Sequence, residues 1–167
     1  MAIVSGEIEF HLSGTGGTPA SSLGGAIHAT EITDATLHNL FDPVDSGEAS
    51  SGDVEYRCLY VKNANTTLTL YGAVIWIDTN TPSADTTIDI GLGTSAINGT
   101  EQTIADESTE PTSVSWSAPA SKGAGLSIGD IPSGEHKAIW VRRTINASAA
   151  SASSDSAIIK VEGATLA

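Results

Sequence analysis

The feature that most constrains this chain is the stretch from Val54 to Thr79, in which two apolar, β-prone runs flank an Asn-rich turn. One face of the first run carries Val54, Tyr56, Cys58 and Tyr60, and the other carries Glu55, Arg57, Leu59 and Val61. Neither face is fully polar, which is typical of a strand in the middle of a sheet that is covered on both sides. Asn63, Asn65 and Thr66 favour a tight reversal of the chain. The stretch therefore predicts a β-hairpin at the centre of an all-β domain.

The second run of this stretch predicts a strand with apolar residues on both faces as well. Strict alternation places Leu68, Leu70, Val74 and Trp76 on one face and Thr69, Tyr71, Ile75 and Ile77 on the other. Further strands are predicted at residues 8–12, 26–32, 86–92, 114–117, 126–131, 136–145 and 156–161. Residues 35–41 fit either a helical turn or a strand, and residues 93–112 either a long loop or a weak edge strand.

Recurrent turn residues separate these short strands, and no helix longer than a turn or two is predicted. About eight or nine such strands are the signature of a sandwich or a barrel. We expect an antiparallel β-sandwich of the immunoglobulin-like kind, with a jelly roll as the alternative, because both satisfy the same strand spacing. At 167 residues the chain is long enough to bury a core of its own.

The segment from Ser13 to Gly25 is rich in Gly and Ser, which predicts a flexible arm or a segment that becomes ordered against a partner. We therefore divide the chain into an extended N-terminal arm, residues 1–32, and a sandwich domain, residues 33–167. The arm is expected to contact neighbouring subunits through its apolar side chains, which are Ile8, Phe10, Leu12, Leu23 and Ile27.

The charge of the chain excludes several classes of partner. Seven basic residues against 20 acidic ones give a net charge of −13. Binding to nucleic acids or to anionic membranes depends on Lys and Arg, so neither partner is expected. The chain shows no secretory signal and no apolar stretch of membrane-spanning length, so we expect it to fold in a cytosol. A strongly acidic surface suits a protein on the outside of an assembly.

Residues that could carry chemistry are present but do not form known motifs. The four histidines, His11, His28, His38 and His136, lack zinc-ligand spacing, and the serines lack a nucleophile elbow. The GTGG segment at residues 14–17 lacks the Lys of a phosphate loop. Cys58 is expected to be a buried apolar residue, and the three Trp residues to pack in the core. We expect no enzymatic activity, no catalytic residue, no cofactor and no metal.

Two sets of charged residues, the loop carboxylates and a pair of arginines, can each be interpreted in two ways. The loop carboxylates Asp42, Asp45, Glu48 and Asp53, and also Asp78 and Asp85, could hold Ca²⁺, although their spacing is not that of an EF-hand and solvated loop charge is the default. Arg142 and Arg143 point to opposite faces of a predicted strand. We interpret this pair as a subunit contact, while a surface salt bridge is the commoner role of such residues.

Three segments of the chain resemble small virion proteins of tailed bacteriophages and prophages. They are NLFDPVDSGEASSGDVEYRCLYVKN (residues 39–63), VIWI (74–77) and GLSIGDIPSGEHKAIWVRRTI (125–145), and the similarity extends from about residue 39 to residue 162. The resemblance implies a capsid decoration or cement protein on the outer surface of the head, made in the host cytoplasm. Its implied partners are the major capsid protein and copies of itself, as a trimer.

Two other functions remain open at this point. Virion proteins of similar size also occur in tails, necks and head fibres. A receptor- or carbohydrate-binding β module would instead use exposed Trp residues and the acidic loops as its site.

Overall fold

β-Strands are the main regular elements of the structure, a computed structural model that describes residues 2–166. The strands are β1 (Ile8–Ser13), β2 (Gly24–Gly25), β3 (Ile27–Glu31), β4 (Asp53–Asn63), β5 (Leu70–Thr79), β6 (Thr86–Leu92), β7 (Glu101–Thr103), β8 (Leu126–Ile131), β9 (His136–Ile145) and β10 (Ile158–Ala164). The one α-helix among these residues is α1 (Ser46–Ser51), and 3₁₀ turns occur at Ser5–Glu7, Pro19–Ser21 and Lys122–Ala124. No helix within residues 2–166 is long and apolar enough to cross a bilayer.

Two antiparallel sheets form the two layers of the fold. The large sheet has the strand order β3-β1-β4-β9-β6, and the small sheet has the order β10-β5-β8. Strands β4 and β9 form the centre of the large sheet and pair from Asp53 opposite Ile145 to Lys62 opposite His136. The short strands β2 and β7 pair separately. The predicted all-β fold with sheets packed as a sandwich is confirmed.

Aliphatic side chains from both sheets form the core between the layers. The large sheet contributes alternate residues of three neighbouring strands, and the small sheet contributes the facing residues of β5 and β8. The central members of this core are Leu59, Val61, Ile139, Val141, Ile88, Ile90, Ile75, Ile77, Ile128 and Ile131. Burial of such side chains is the main favourable term in folding, so this layer holds the sandwich together.

The outer face of the large sheet is covered as well. Tyr56, Cys58 and Tyr60 of β4 pack there with Trp140 of β9, under apolar side chains from residues 104–116. The central strand β4 is therefore apolar on both faces because both faces are buried, as the alternation of residues 54–61 predicts.

The predicted hairpin between β4 and β5 is wrong. The two strands lie in different sheets, and residues 64–69 cross from one layer to the other. Asn63 Nδ2 donates to the carbonyl oxygens of Leu68, at 2.8 Å, and Ile131, at 2.9 Å, and so links the end of β4 to the small sheet. The Asn residues that predict a hairpin turn therefore lie in a connection between the two sheets. Local sequence does not distinguish the two cases, because two strands that are apolar on both faces can either pair in one sheet or pack face to face in two sheets.

The predicted faces of β5 are also corrected. Leu70 lies in the same core as Ile75, although strict alternation places them on opposite faces. The register of β5 against β8 shifts between Leu70 and Ala73, and Gly72 has a φ of +55°. A bulge at Gly72 adds one residue to the strand and so moves Leu70 to the core face.

The N-terminal segment is not an extended arm. Strand β1 lies inside the large sheet between β3 and β4, pairing from Ile8 opposite Asn63 to Leu12 opposite Leu59. Residues 8–31 therefore belong to the sandwich, and the division into residues 1–32 and 33–167 does not describe this structure. The Gly/Ser-rich segment is the loop that returns the chain from β1 to β3, which is why it needs flexible turn residues.

Candidate functional site

The residues predicted to contact a partner lie at several places in the fold. Leu12 is 3% exposed and packs in the core between the sheets, so it is not available to a neighbouring subunit. Ile27 packs against the aromatic cluster on the outer face of the large sheet. Leu23 is half-buried, and its carbonyl oxygen accepts the Ile104 N–H at 3.0 Å. Leu12 is therefore not a contact residue in this structure, while the contact roles of Leu23 and Ile27 stay predictions.

Ile8 and Phe10 are the two members of the predicted set that line an open groove. The groove has a volume of about 360 Å³ and lies where β10, an edge strand of the small sheet, faces β1. Its apolar wall also includes Leu70, Ile159 and Val161. Gly163 lies so close that a Cβ atom there would be 2.7 Å from Leu70 Cγ. The absent side chain at this position lets β10 approach β5 and so shapes the floor of the groove.

The two neighbouring arginines point to opposite faces, as predicted, and each binds a carboxylate of its own chain. Arg142, on the outer face, donates to Asp89 Oδ2 from Nη2 at 2.8 Å and from Nε at 3.2 Å. Its guanidinium also lies 5.0 Å from the centre of the Trp116 ring. These contacts hold Arg142 within the domain, and they match the salt-bridge alternative rather than a subunit contact.

Arg143 lies inside the sandwich, where it forms an ion pair with the fully buried Glu55. It also donates to the Asp42 carbonyl oxygen at 2.7 Å and lies 4.8 Å from the centre of the Phe41 ring. Arg143 itself is 9% exposed, so it does not present its charge to a partner. Burial raises the pKa of Glu55, and the ion pair with Arg143 opposes that effect.

A cluster of carboxylates surrounds the two buried arginines. Oxygen atoms of Asp42, Glu55 and Glu107 lie within 4.8 Å of one another, and within residues 2–166 no other set of His, Cys, Asp or Glu has metal-binding spacing. Arg57 forms an ion pair with Glu107, and Arg143 with Glu55. Because two guanidinium groups already neutralise these carboxylates, the cluster is a poor site for a cation.

The loop carboxylates considered for Ca²⁺ accept hydrogen bonds or ion pairs from the chain. Asp45 caps helix α1 by accepting the Gly47 and Glu48 N–H groups, and Glu48 completes the capping box. Asp53 accepts the Val54 N–H at 2.8 Å, and Asp78 forms an ion pair with Lys160. Sequence spacing does not reveal these roles, apart from the capping box between Asp45 and Glu48, which is a recognisable helix start.

The sequence reasoning missed a grouping of histidines. His11, His28 and His136 lie far apart along the chain but line one groove on the outer face of the large sheet, together with Lys62. Each lies on a strand, or at the start of one, that the sequence predicts. Their convergence depends on the strand order β3-β1-β4-β9, which local patterns do not encode.

Comparison with known proteins adds no relative to this description. No protein-family model matches the chain, and neither the curated proteins nor the solved structures contain a match.

Proposed function

We propose that this chain is a non-enzymatic structural protein of a tailed-bacteriophage virion, and that it decorates and stabilises the outer surface of the head. The resemblance of residues 39–162 to small virion proteins favours this class of function. An all-β sandwich with an aliphatic core fits a protein that acts by presenting surfaces to its neighbours.

The observation that carries the proposal is how the chain uses its positive charge. Every Lys and Arg side chain binds an acceptor in the same chain: Arg57 binds Glu107, Lys62 binds Glu9, Lys122 binds Glu162, Lys137 binds the Gly93 and Ser95 carbonyls, Arg142 binds Asp89, Arg143 binds Glu55, and Lys160 binds Asp78. The 20 acidic residues outnumber these seven cations, so the remaining carboxylates give the surface an uncompensated negative charge.

Such a surface favours a position outside the shell over one inside it. A negative protein would repel packaged DNA in the lumen, whereas on the exterior it limits aggregation of particles. The partners in this proposal are the major capsid protein and further copies of the chain, assembled as a trimer.

The proposal is tested on particles purified from the phage or prophage that encodes the chain. Quantitative mass spectrometry should find this chain at about the copy number of the major shell protein. A handful of copies per particle would instead indicate a neck, tail or fibre protein, and absence from the particles would overturn the proposal.

Electron microscopy with gold-labelled polyclonal antibodies against the purified chain tests its position. We expect gold over the heads of intact, DNA-filled particles. Gold confined to tails would contradict the proposed location, and labelling of heads only after they are broken open would contradict the outward orientation. Sedimentation of the purified protein tests the trimer.

A further inference from the structure

A groove on the outer face of the large sheet combines residues from four neighbouring strands. Its volume is about 460 Å³. His28 of β3, His11 of β1, Lys62 of β4 and His136 of β9 line it, and Asn98 lies at its wall. Because these strands are adjacent in the sheet, four side chains that can carry positive charge meet on one surface.

The lining of this groove reverses the charge balance of the chain. It contains three of the four histidines and one of the seven basic residues, and no carboxylate side chain. Over the whole chain acidic residues outnumber basic ones almost three to one. In a protein of this composition, a lining without carboxylates repels an anion less than a surface of average charge does.

A carboxylate of β1, Glu9, lies beside the groove and contacts two of its lining residues. Glu9 Oε2 lies 2.7 Å from His11 Nε2 and accepts from Lys62 Nζ at 3.1 Å. His11 Nδ1 lies 3.0 Å from the His28 carbonyl oxygen, so both ring nitrogens of His11 face oxygen acceptors. The hydrogen bond from His11 lowers the pKa of Glu9.

His28 leaves one ring nitrogen available for a ligand. The Thr30 N–H donates to His28 Nδ1 at 3.0 Å, so a neutral His28 carries its proton on Nε2 and can donate from there. His136 packs edge-on against Tyr60, with 5.0 Å between ring centres. Its half-buried position lowers its pKa below the ordinary value of 6.5.

We propose that this groove is a binding site for an oxyanion, either a phosphate or a carboxylate group, and that it fills as His136 becomes protonated, while His28 donates from Nε2. The site is independent of the proposed virion function. Charge-assisted hydrogen bonds from imidazolium and ammonium groups are the interactions that such a ligand would make.

The surrounding charges set the direction of the pH dependence. Three carboxylates lie beside residues of the groove: Glu9 contacts His11 and Lys62, Glu31 is opposite His11, and Glu135 is next to His136. While the lining histidines are neutral, these three carboxylates outnumber Lys62. A proton gained by His136 adds a positive charge to the lining and reduces this excess. Binding should therefore be weak near neutral pH and stronger in mild acid.

The test is a titration of the full-length protein with inorganic phosphate and, separately, with citrate, at constant ionic strength maintained with NaCl. Histidine ring signals in NMR spectra report binding. Near pH 5 we expect saturable shifts of His28 and His136, and near pH 7.5 binding at least about tenfold weaker, which follows from the loss of about one interaction with a charged group. Both ligands carry more negative charge at the higher pH, so their own ionisation predicts the opposite trend. A response to only one of the two ligands identifies which oxyanion the site takes.

Variants of the lining residues distinguish binding in the groove from a general effect of salt on the protein. His136→Gln and Lys62→Met should each weaken binding severalfold near pH 5. His38→Asn is the matched control, because His38 is exposed, lies outside the groove, and has a φ of +58° that Asn tolerates. Shifts that do not saturate, or that persist in His136→Gln and Lys62→Met as in His38→Asn, would overturn the proposal. If a groove variant is unfolded in its NMR spectrum, the titration of His28 and His136 signals in the wild type still decides between binding and no binding.

Discussion

Glu55 and Arg143 lie directly opposite each other on strands β4 and β9 and form an ion pair inside the sandwich. Glu55 is fully buried, and its second carboxylate oxygen, Oε1, has no hydrogen-bond partner among residues 2–166. Burying an ion pair removes water from both charges, which is unfavourable, and the attraction between the charges offsets this loss. When one partner is removed, the other charge stays buried without that compensation.

We expect Glu55→Gln to lower the free energy of unfolding by about 3 kcal/mol, since it leaves the Arg143 charge buried without its main partner. The double variant Glu55→Leu/Arg143→Met should recover much of this loss because it removes both charges. Urea unfolding near pH 7 measures both. The exposed pair of Lys122 and Glu162 supplies the control, and Glu162→Gln should change stability much less. Equal urea midpoints for Glu55→Gln and the wild type would show that the pair does not stabilise the interior.

The pKa of Glu101 is lowered by its surroundings, whereas the pKa of Glu55 is raised. Burial alone would raise its pKa, but the Ser95 N–H, at 2.9 Å, and the Thr94 hydroxyl, at 2.8 Å, donate to its carboxylate. These hydrogen bonds prevail and hold the pKa of Glu101 at about 2, below the model-peptide value of 4.5. Gly93 makes room for the carboxylate, because a Cβ atom there would lie 2.4 Å from Glu101 Oε2.

The lowered pKa of Glu101 predicts acid destabilisation in a defined range. Its contribution is fully present above about pH 4.5 and is lost as the pH falls towards 2, because the unfolded chain takes up the proton first. The size of the pKa change corresponds to a contribution of about 3 kcal/mol. Urea unfolding between about pH 6 and pH 2.5 should show a steeper loss for the wild type than for Glu101→Gln. The raised pKa of Glu55 acts in the other direction but is common to both proteins. Parallel curves would contradict the assignment.

Gly24 and Gly129 offer a matched test of backbone strain against steric clash. Their φ values are +92° and +91°, which residues other than Gly rarely adopt. A Cβ atom on Gly24 would lie 1.9 Å from the Gln102 carbonyl oxygen, while one on Gly129 would meet nothing within 4 Å.

Gly129→Ala should therefore cost only the backbone term, about 1–2 kcal/mol. Gly24→Ala should cost clearly more, because β2 can no longer pair with β7 at its present distance. Thermal unfolding of the two variants side by side measures the difference. If both lose the same stability, the close approach of β2 to Gln102 is not important for the fold.

Elements whose signals are local could be predicted from the sequence. The predicted strands at 86–92, 126–131 and 136–145 coincide with β6, β8 and β9, because alternating apolar residues between turn residues are sufficient to define them. Helix α1 is not among the predicted elements, because Asp45 and Glu48 are interpreted from the sequence as loop carboxylates and not as the capping box that starts a helix.

Features that depend on pairing between distant strands could not be predicted. Arg143 meets Glu55 across 88 positions of sequence, and the histidine groove requires β1, β4 and β9 to be neighbours. Local alternation shows which residues share a face of a strand but not which strand lies beside it. The same limit explains why β1 was interpreted as part of an arm: its amphipathic pattern fits a strand in this chain's own sheet as well as one that adds to a partner.

The crossover between β4 and β5 depends on Asn63, a fully buried amide at the end of β4. Its Nδ2 donates to two carbonyl oxygens, those of Leu68 and Ile131, and its Oδ1 accepts the Asn65 N–H at 3.1 Å. This arrangement needs a side chain with two N–H donors and one acceptor. A carboxylate has the same shape but no N–H donors, so it cannot make the same hydrogen bonds.

Asn63→Asp should therefore destabilise the protein by about 3 kcal/mol or more near pH 7, because it leaves two carbonyl oxygens without donors and adjacent to a buried negative charge. Asn146→Asp makes the same chemical change at an exposed residue, where Nδ2 donates to the Ala84 carbonyl oxygen at 3.2 Å, and should have a much smaller effect. Urea unfolding measures both. The loss in Asn63→Asp should shrink as the pH is lowered and the new carboxylate becomes protonated, since a neutral acid can donate one hydrogen bond again. A loss that is the same in both variants, or that does not depend on pH, would show that the crossover is held by its backbone alone.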